Sequence, residues 1–319
     1  MRRRSLVLPF AAAGILLSAC AFMPLATPST DSPFLKRMQA AEQSHTLHLP
    51  EVDLHYLQLG QGPPVVMLPG GGSWAYDFYD LASRLATNHT VYILDTPGNG
   101  YTVPAPSTDL NRLYTLEGIN AVLLEFMRAK KLEQADFIGN SWGGGFGLYF
   151  AERHPERVRR YVSLAGTGLN DPATFLWRLR HVPLLGEALV NLSAYRPLLA
   201  WGLRPMYLPG APSTEDIDEM YRPYIRPWNL HSQLLIYRNV DWAATRQGLT
   251  ALKAPTLVIW GEQDDVLDAR RNEALWRTLH PAARVVVLPG AGHLPHQGNL
   301  DEVFQLIQTF LVEEIRGAW

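Results

Sequence analysis

A single cysteine, Cys20, is the only thiol in the chain, so no disulfide can form within it, whatever the compartment. Neither sign of charge dominates. With 28 Lys and Arg against 30 Asp and Glu the formal balance is −2, and no basic stripe with interleaved aromatics occurs, which argues against nucleic acid as a partner. Cysteine and histidine do not cluster at ligand spacing, so neither a metal site nor any other cofactor is expected. Internal repeats and long low-complexity tracts are missing too. The longest apolar run, Leu6 to Ala19, has 14 residues, short of the roughly 20 that a spanning helix needs. What remains is ordinary for a globular protein: 319 residues, 47% hydrophobic and 18% charged. That is enough chain for one large α/β domain or two smaller units. Oligomeric state cannot be read from it.

The apolar run sits in a patterned context, "MRRRSLVLPFAAAGILLSAC". Three arginines precede it, which is the layout of a secretory signal. Leu17-Ser18-Ala19-Cys20 resembles a bacterial lipobox, which implies removal of residues 1–19 and lipidation of Cys20. An ordinary cut after Ala21 is the alternative, because Ala19 and Ala21 also fit the small-x-small rule. Loss of residues 1–19 takes away Arg2, Arg3 and Arg4 and no acid, leaving 25 basic against 30 acidic residues, a net −5. Membrane attachment would then rest on acyl chains rather than on charge. Ala21 follows the cysteine where Asp would signal retention, so the lipobox rule implies the outer membrane of a Gram-negative cell, facing the periplasm. A soluble periplasmic or secreted protein goes with the ordinary cut. Residues 20–44 read as a tether, with three prolines in "AFMPLATPSTDSP" (21–33).

Further on, short apolar runs alternate with longer helical ones. A half-exposed strand is expected at 52–60, where apolar and polar residues alternate, and buried strands at 65–68, 91–94, 136–139, 161–166, 256–260 and 284–288, which are short, β-branched and bounded by Gly or Pro. Helices are expected near 76–87, 112–130, 142–154, 268–279 and 300–315. Such alternation means βαβ units and a mostly parallel sheet. It breaks off between 167 and 244, where no strand pattern occurs and successive short helices fit better. The expected division is therefore core at 45–166, a helical insertion at 167–244, and core again at 245–319. An insertion there would lie over the carboxyl edge of the sheet, where open α/β sheets bind ligands.

Gly139-Asn140-Ser141-Trp142-Gly143 lies directly after one expected strand and directly before a helix. In a nucleophile elbow the serine occupies that turn, with its Oγ exposed and the next residue's N–H free. A nucleophilic serine needs a base, and the base an orienting acid. His293, in "LPGAGHLPH", follows the last strand on a glycine-containing loop. Asp264, in "WGEQDDVLD", ends the strand before it; Asp265 and Asp171 are alternatives. Two backbone donors would hold an oxyanion. Trp142 N–H is one by position, and Gly71 in "LPGGGSW" the other, with Gly72 next.

At these residues the chain resembles the α/β-hydrolase superfamily, in its capped branch, over about residues 50–315. "DTPGNGYT" (95–102) adds to the likeness, with Asp95 structural. The resemblance implies an eight-stranded-type, mostly parallel sheet with helices on both faces and a helical cap inserted after the sixth strand. It implies a Ser141–His293–Asp264 serine hydrolase acting on an uncharged, fairly hydrophobic small-molecule ester or thioester. Trp74, Trp177, Trp201 and Trp228 are the expected pocket walls beside Trp142. One departure is Pro69-Gly70, where the family usually has His-Gly. The capped haloalkane dehalogenases and epoxide hydrolases use an Asp nucleophile, and Ser141 cannot play that part. Carbon–carbon bond hydrolases and cofactor-free haloperoxidase-like enzymes share the triad and stay open, as does a non-catalytic binding lipoprotein.

Overall fold

A computed structural model describes residues 32–169 and 179–313; Cys20, Asp171 and Trp177 lie outside the described residues. Its centre is a nine-stranded sheet. The strands are β1 (Ser44–His48), β2 (Val52–Leu59), β3 (Pro64–Leu68), β4 (Thr90–Leu94), β5 (Val103–Pro104), β6 (Ala135–Asn140), β7 (Val158–Leu164), β8 (Thr256–Gly261) and β9 (Arg284–Leu288). They lie in the order β1-β2-β4-β3-β6-β7-β8-β9, with the two-residue β5 beside β2. β1, β2 and β4 pair antiparallel; from β4 onward every pair is parallel. Leaving β5 aside, the helical insertion follows the sixth of eight strands, as the resemblance implies; the strand pattern alone gives five before it, because β1 is not among the expected strands.

Alternate residues of β3 face opposite layers. Val66 and Leu68 join one buried cluster with α4 (Leu116–Ala129) and α5 (Ser141–Arg153), while Val65 and Met67 join another with α2 (Ala75–Leu85). Period-two alternation thus puts helices on both faces. Two more helices follow the late strands, Ala269–Leu279 and Leu300–Val312. Between β7 and β8 come the insertion's helices, Leu185–Ser193, Arg196–Met206, Thr214–Tyr224 and Pro227–Asn239.

The tether ends earlier than the composition of residues 20–44 implies. Residues 33–40 form a helix with Pro33 in its first turn, and the Ser32 hydroxyl accepts from Leu35 N–H at 2.8 Å. Phe34 is buried against Trp74, Tyr76 and Tyr79. Pro33, read as a tether residue, is instead a helix-start signal behind a serine cap. β1 then opens at Ser44, one residue before the expected core.

Strand order places the chemistry. The chain runs outward from β3 to β4 on one side and from β6 to β7 on the other, so β3 and β6 are neighbours at the point where winding reverses. Leu68 pairs with Gly139 across them. The loops after these two strands, 69–74 and 140–142, therefore diverge at the sheet's carboxyl edge and leave a crevice between them.

One buried carboxyl lies away from the crevice. Glu152, near the end of α5, is 5% exposed, and burial pushes its carboxyl up to about 8 against a smaller opposing pull from Arg153. In the folded chain it stays protonated, whereas in the unfolded chain it ionises near 4.5. Between those values the unfolded chain binds fewer protons, so Glu152 erodes stability as pH rises from 4.5 towards 8. Thermal denaturation across that range should show Glu152→Gln removing part of the decline, with its largest gain over wild type at the alkaline end. An equal gain at every pH would contradict the buried neutral carboxyl.

Candidate active site

Ser141 opens α5 with φ +49°. A serine in the left-handed region is uncommon and costs about 1–3 kcal/mol, so its surroundings must hold it there. Gly143 permits the turn: a Cβ there would collide with the Leu68 carbonyl. Asn140, completely buried at the end of β6, supplies the restraint. Its Nδ2 donates to Leu164 O at 2.9 Å and to His293 O at 3.2 Å. One amide therefore ties the elbow to β7 and to the histidine loop.

The histidine loop arrives from β9. Glu262 N–H donates to Leu288 O at 3.0 Å and Gln263 N–H to Ala291 O at 2.8 Å, which brings the loops after β8 and β9 together. His293 Nδ1 lies 2.8 Å from Asp264 Oδ2, both side chains buried. Asp264 Oδ1 accepts from the N–H groups of Val266 and Leu267, each at 3.0 Å. A carboxylate held at both oxygens orients the imidazole, with Nδ1–H towards Asp264 and Nε2 left to face a partner. Asp265 is exposed, so of the two adjacent acids Asp264 is the one placed beside His293.

Ser141, His293, Gly71 and Trp142 line a single cavity of about 260 Å³. The first turn of α5 leaves the Trp142 N–H without an intrahelical acceptor. Gly71 lies against the Trp142 indole so closely that a Cβ would run into the ring. Gly72 is different. Its φ is +75° and its N–H donates to Asn99 Oδ1 at 2.8 Å, while Ser73 N–H donates to Gly70 O at 3.1 Å. That is a type II turn with glycine at its third position. Its closed bond removes Gly72 as an oxyanion donor and leaves Gly71.

Three expected wall residues are elsewhere. Trp74 is fully buried and donates its Nε1–H to Glu219 O at 2.8 Å. Trp201 is 72% exposed. Trp228 lies half-buried, 4.7 Å from the Arg226 guanidinium. Helical phase accounts for the last two. Leu199, Leu203 and Met206 face the cavity from one helix and Gln233 and Tyr237 from another, and Trp201 and Trp228 fall on the far sides of those helices. The walls are instead Leu198, Leu199, Leu203, Met206, Met220, Tyr224, Tyr237, Val266 and Leu294. Arg180 is also in the wall, its guanidinium 4.4 Å above the Tyr237 ring. Among the described residues no group of three His, Cys, Asp or Glu is placed to hold a metal ion.

Asp95 organises the neighbouring turn. Its Oδ1 accepts from Ala75 N–H at 2.8 Å, and its Oδ2 from Tyr101 N–H at 2.8 Å, with His55 Nδ1 at 2.7 Å from the same oxygen. The turn presents Asn99, 1% exposed, whose Nδ2 donates to Thr96 Oγ1 at 2.9 Å. Asn99 was not singled out from the sequence. The signal was there, in "DTPGNGYT" together with the missing histidine at Pro69, because a loop that loses one anchor must find another.

Comparison with known proteins bears on the fold. Residues 63–299 match the family model described as the alpha/beta hydrolase fold. The chain is 31% identical over 286 residues to a cis-3-alkyl-4-alkyloxetan-2-one decarboxylase of Shewanella oneidensis, covering 82% of this chain and 85% of that one. It is 29% identical over 273 residues to a 2-hydroxymuconate semialdehyde hydrolase of a Pseudomonas species, covering 81% and 90%. The crystal structure of a bacterial membrane phospholipase A superposes with a TM-score of 0.72 at 22% identity, covering 96% of this chain and 95% of that one. That last likeness concerns the fold alone.

Asn99→Ala should free the Gly72 N–H and loosen the loop that carries Gly71. Loss of a well-placed oxyanion donor costs about 10²-fold in kcat, so an indirect loosening should cost about tenfold or more, with KM changed little. Asn99→Asp keeps an acceptor and should recover most of the loss. Steady-state kinetics of both variants check this; equal losses in kcat and KM, with no recovery in Asn99→Asp, would leave Asn99 a packing role only.

Proposed function

The chain belongs to the α/β-hydrolase fold family, and from that premise we propose that it is a serine hydrolase cleaving an uncharged, fairly hydrophobic ester or thioester. The observation that carries the reading is the buried His293–Asp264 pair, whose histidine lines the same cavity as Ser141. Ser141 Oγ attacks the acyl carbon while His293 Nε2 takes its proton. The carbonyl oxygen becomes an oxyanion held by the N–H groups of Gly71 and Trp142. Collapse expels the alcohol or thiol, which receives the proton from His293, and leaves an acyl group on Ser141. Water then attacks the acyl carbon in the same way and releases the acid. Asp264 keeps the imidazole tautomer correct and stabilises imidazolium. The mostly aliphatic walls support a substrate whose acyl or alcohol part is apolar.

Arg180 favours a second reading. A guanidinium in an otherwise neutral wall suits a carboxylate on the substrate, and a 29% identical relative is named for hydrolysis of 2-hydroxymuconate semialdehyde. Carbon–carbon bond hydrolysis would use the same triad. Neutral and carboxylate-bearing substrates of matched size separate the two readings: Arg180→Met should spare the neutral one and damage the charged one if the second holds.

For location, the proposal is a lipid anchor at Cys20 in a bacterial envelope, with the tether shortened to residues 20–31. No helix among the described residues is long and apolar enough to cross a membrane. Cys20→Ser should move the protein from the membrane to the soluble fraction or leave it unprocessed. Recovery of an unmodified wild-type chain beginning after Ala21 would favour the ordinary signal.

Ser141→Ala should leave the fold intact and lower hydrolysis by about four or more orders of magnitude, since triad members act as a unit. A fluorophosphonate probe should label wild type and spare this variant. Asp264→Asn should cost about 10⁴-fold, as loss of an orienting carboxylate does elsewhere, while Asp265→Asn changes kcat/KM little. Labelling of Ser141→Ala at the wild-type level would remove the nucleophile assignment.

A further inference from the structure

Exposed large apolar side chains are concentrated on one part of the molecule. Of the eight described, six lie between residues 182 and 201: Val182 at 45%, Leu184 at 48%, Leu192 at 46%, Tyr195 at 66%, Leu198 at 43% and Trp201 at 72%. Singly exposed leucines mean little, but a contiguous stretch of cap carrying six of them marks an interaction surface. Tyr195, Leu198 and Trp201 recur at three-residue spacing around the helix Arg196–Met206, which keeps them on one side. Leu198 lies at a boundary, since it is exposed and also lines the catalytic cavity. The apolar face therefore runs up to the cavity's rim.

We propose that this face docks on a phospholipid surface, so that the cavity opens towards the lipid and takes its substrate from there. Three features select lipid over protein. The first is composition. Residues 182–206 carry one acid, Glu187, whose carboxylate pairs with Arg238 at 3.1 Å, and two cations, Arg196, which pairs with Asp218 at 2.6 Å, and Arg204. Aromatic and aliphatic side chains with arginine beside them suit the headgroup boundary of an anionic bilayer, although the chain as a whole is acidic. The second is the cavity rim, which a protein partner on the same face would cover but which a bilayer would supply. The third is the path of the N-terminal segment. Ser32 Oγ donates to Glu219 Oε2 at 2.5 Å, and Glu219 belongs to the cap helix Thr214–Tyr224. Ser32, the first described residue, thus sits beside the cap, and a twelve-residue connection to Cys20 reaches about 40 Å at full extension. A lipid on Cys20 would hold this side of the molecule near the membrane; that third argument rests on the anchor proposed above, and the first two do not.

The test reads Trp201 directly and needs no turnover. The full chain is bound to vesicles of phosphatidylethanolamine and phosphatidylglycerol, with or without bromine on the acyl chains. The wild-type emission minus that of Trp201→Phe isolates Trp201. With the face sunk roughly 5–10 Å into the boundary, bromine should remove about half or more of that difference. The corresponding difference for Trp228→Phe, off the face, should be untouched. Flotation of the wild type with Trp201 unquenched would overturn docking and leave the anchor standing. Quenching that persists in Cys20→Ser supports docking without the anchor. Neither flotation nor quenching would overturn both. If Trp201→Ser converts a dimer into a monomer while bromine has no effect, the face belongs to a second copy of the chain and the proposal fails.

Discussion

The carboxamide of Asn140 is the interaction on which the site depends. Its two N–H groups reach the ends of two different segments, Leu164 O after β7 and His293 O after β9. Each bond contributes only about 1 kcal/mol net, but leaving either buried carbonyl unpaired would cost about 1–3 kcal/mol. The strain at Ser141 is of the same size. A single side chain therefore offsets the unfavourable backbone of Ser141 and ties it to the loop of His293, although the two residues stand 152 positions apart in the chain. A side chain with two donors on one atom does both, so the first x of Gly-x-Ser-x-Gly, Asn140, is not a free position here.

The cap is fastened to the same loops that carry the chemistry. Gly292 N–H donates to Leu208 O at 3.0 Å and Leu294 N–H to Met206 O at 2.8 Å, so backbone on both sides of His293 is bonded to the end of a cap helix. On the opposite side Ser232 Oγ and Gln233 Nε2 donate to Gly98 O at 2.9 and 3.2 Å, and Asn229 Nδ2 to Gly100 O at 2.8 Å. These bonds hold the turn that presents Asn99 to the oxyanion loop. Trp74 belongs to this fastening, since its indole joins the core loop to Glu219. The cap and the catalytic loops are thus one mechanical unit, and a cap displacement would reach the base and the oxyanion loop together.

Much of this was legible beforehand because it rests on short-range pattern. The elbow is recorded in glycines that only close backbone approach requires, and the strand runs in β-branched residues that only buried parallel strands favour. Ser141, His293 and Asp264 each end or follow a strand, so period and order alone could place them at one edge. The walls were not legible for an equally physical reason. Trp74, Trp201 and Trp228 are the largest apolar residues near the right segments, but size says nothing about helical phase, and a shift of two or three residues moves a side chain to the opposite face. Gly72 was open as a donor for the same kind of reason, because its partner Asn99 lies 27 positions away. The end of the tether was misjudged where Pro33 and Ser32, read as extended chain, turned out to be a helix start. Local composition cannot tell the two apart until Phe34 has a core to enter.

Backbone and side chain divide the work between core and cap. The groups proposed to stabilise charge are peptide N–H donors on glycine-rich loops, and no side-chain substitution can remove them without moving the loop. Selection among substrates falls to the cap and to loop residues such as Val266 and Leu294, whose apolar surfaces discriminate weakly, at about 1–3 kcal/mol per methylene-sized difference. Strong discrimination in such a cavity has to come from its few polar side chains, because a polar group left unpaired costs more than a methylene misplaced. Ser193 and Tyr224 satisfy each other at 2.5 Å and so demand nothing of a ligand. Arg180 is a cation among the described wall residues, its guanidinium resting on Tyr237 beside the Trp142 indole, so replacing it by a neutral side chain asks whether the substrate carries a charge.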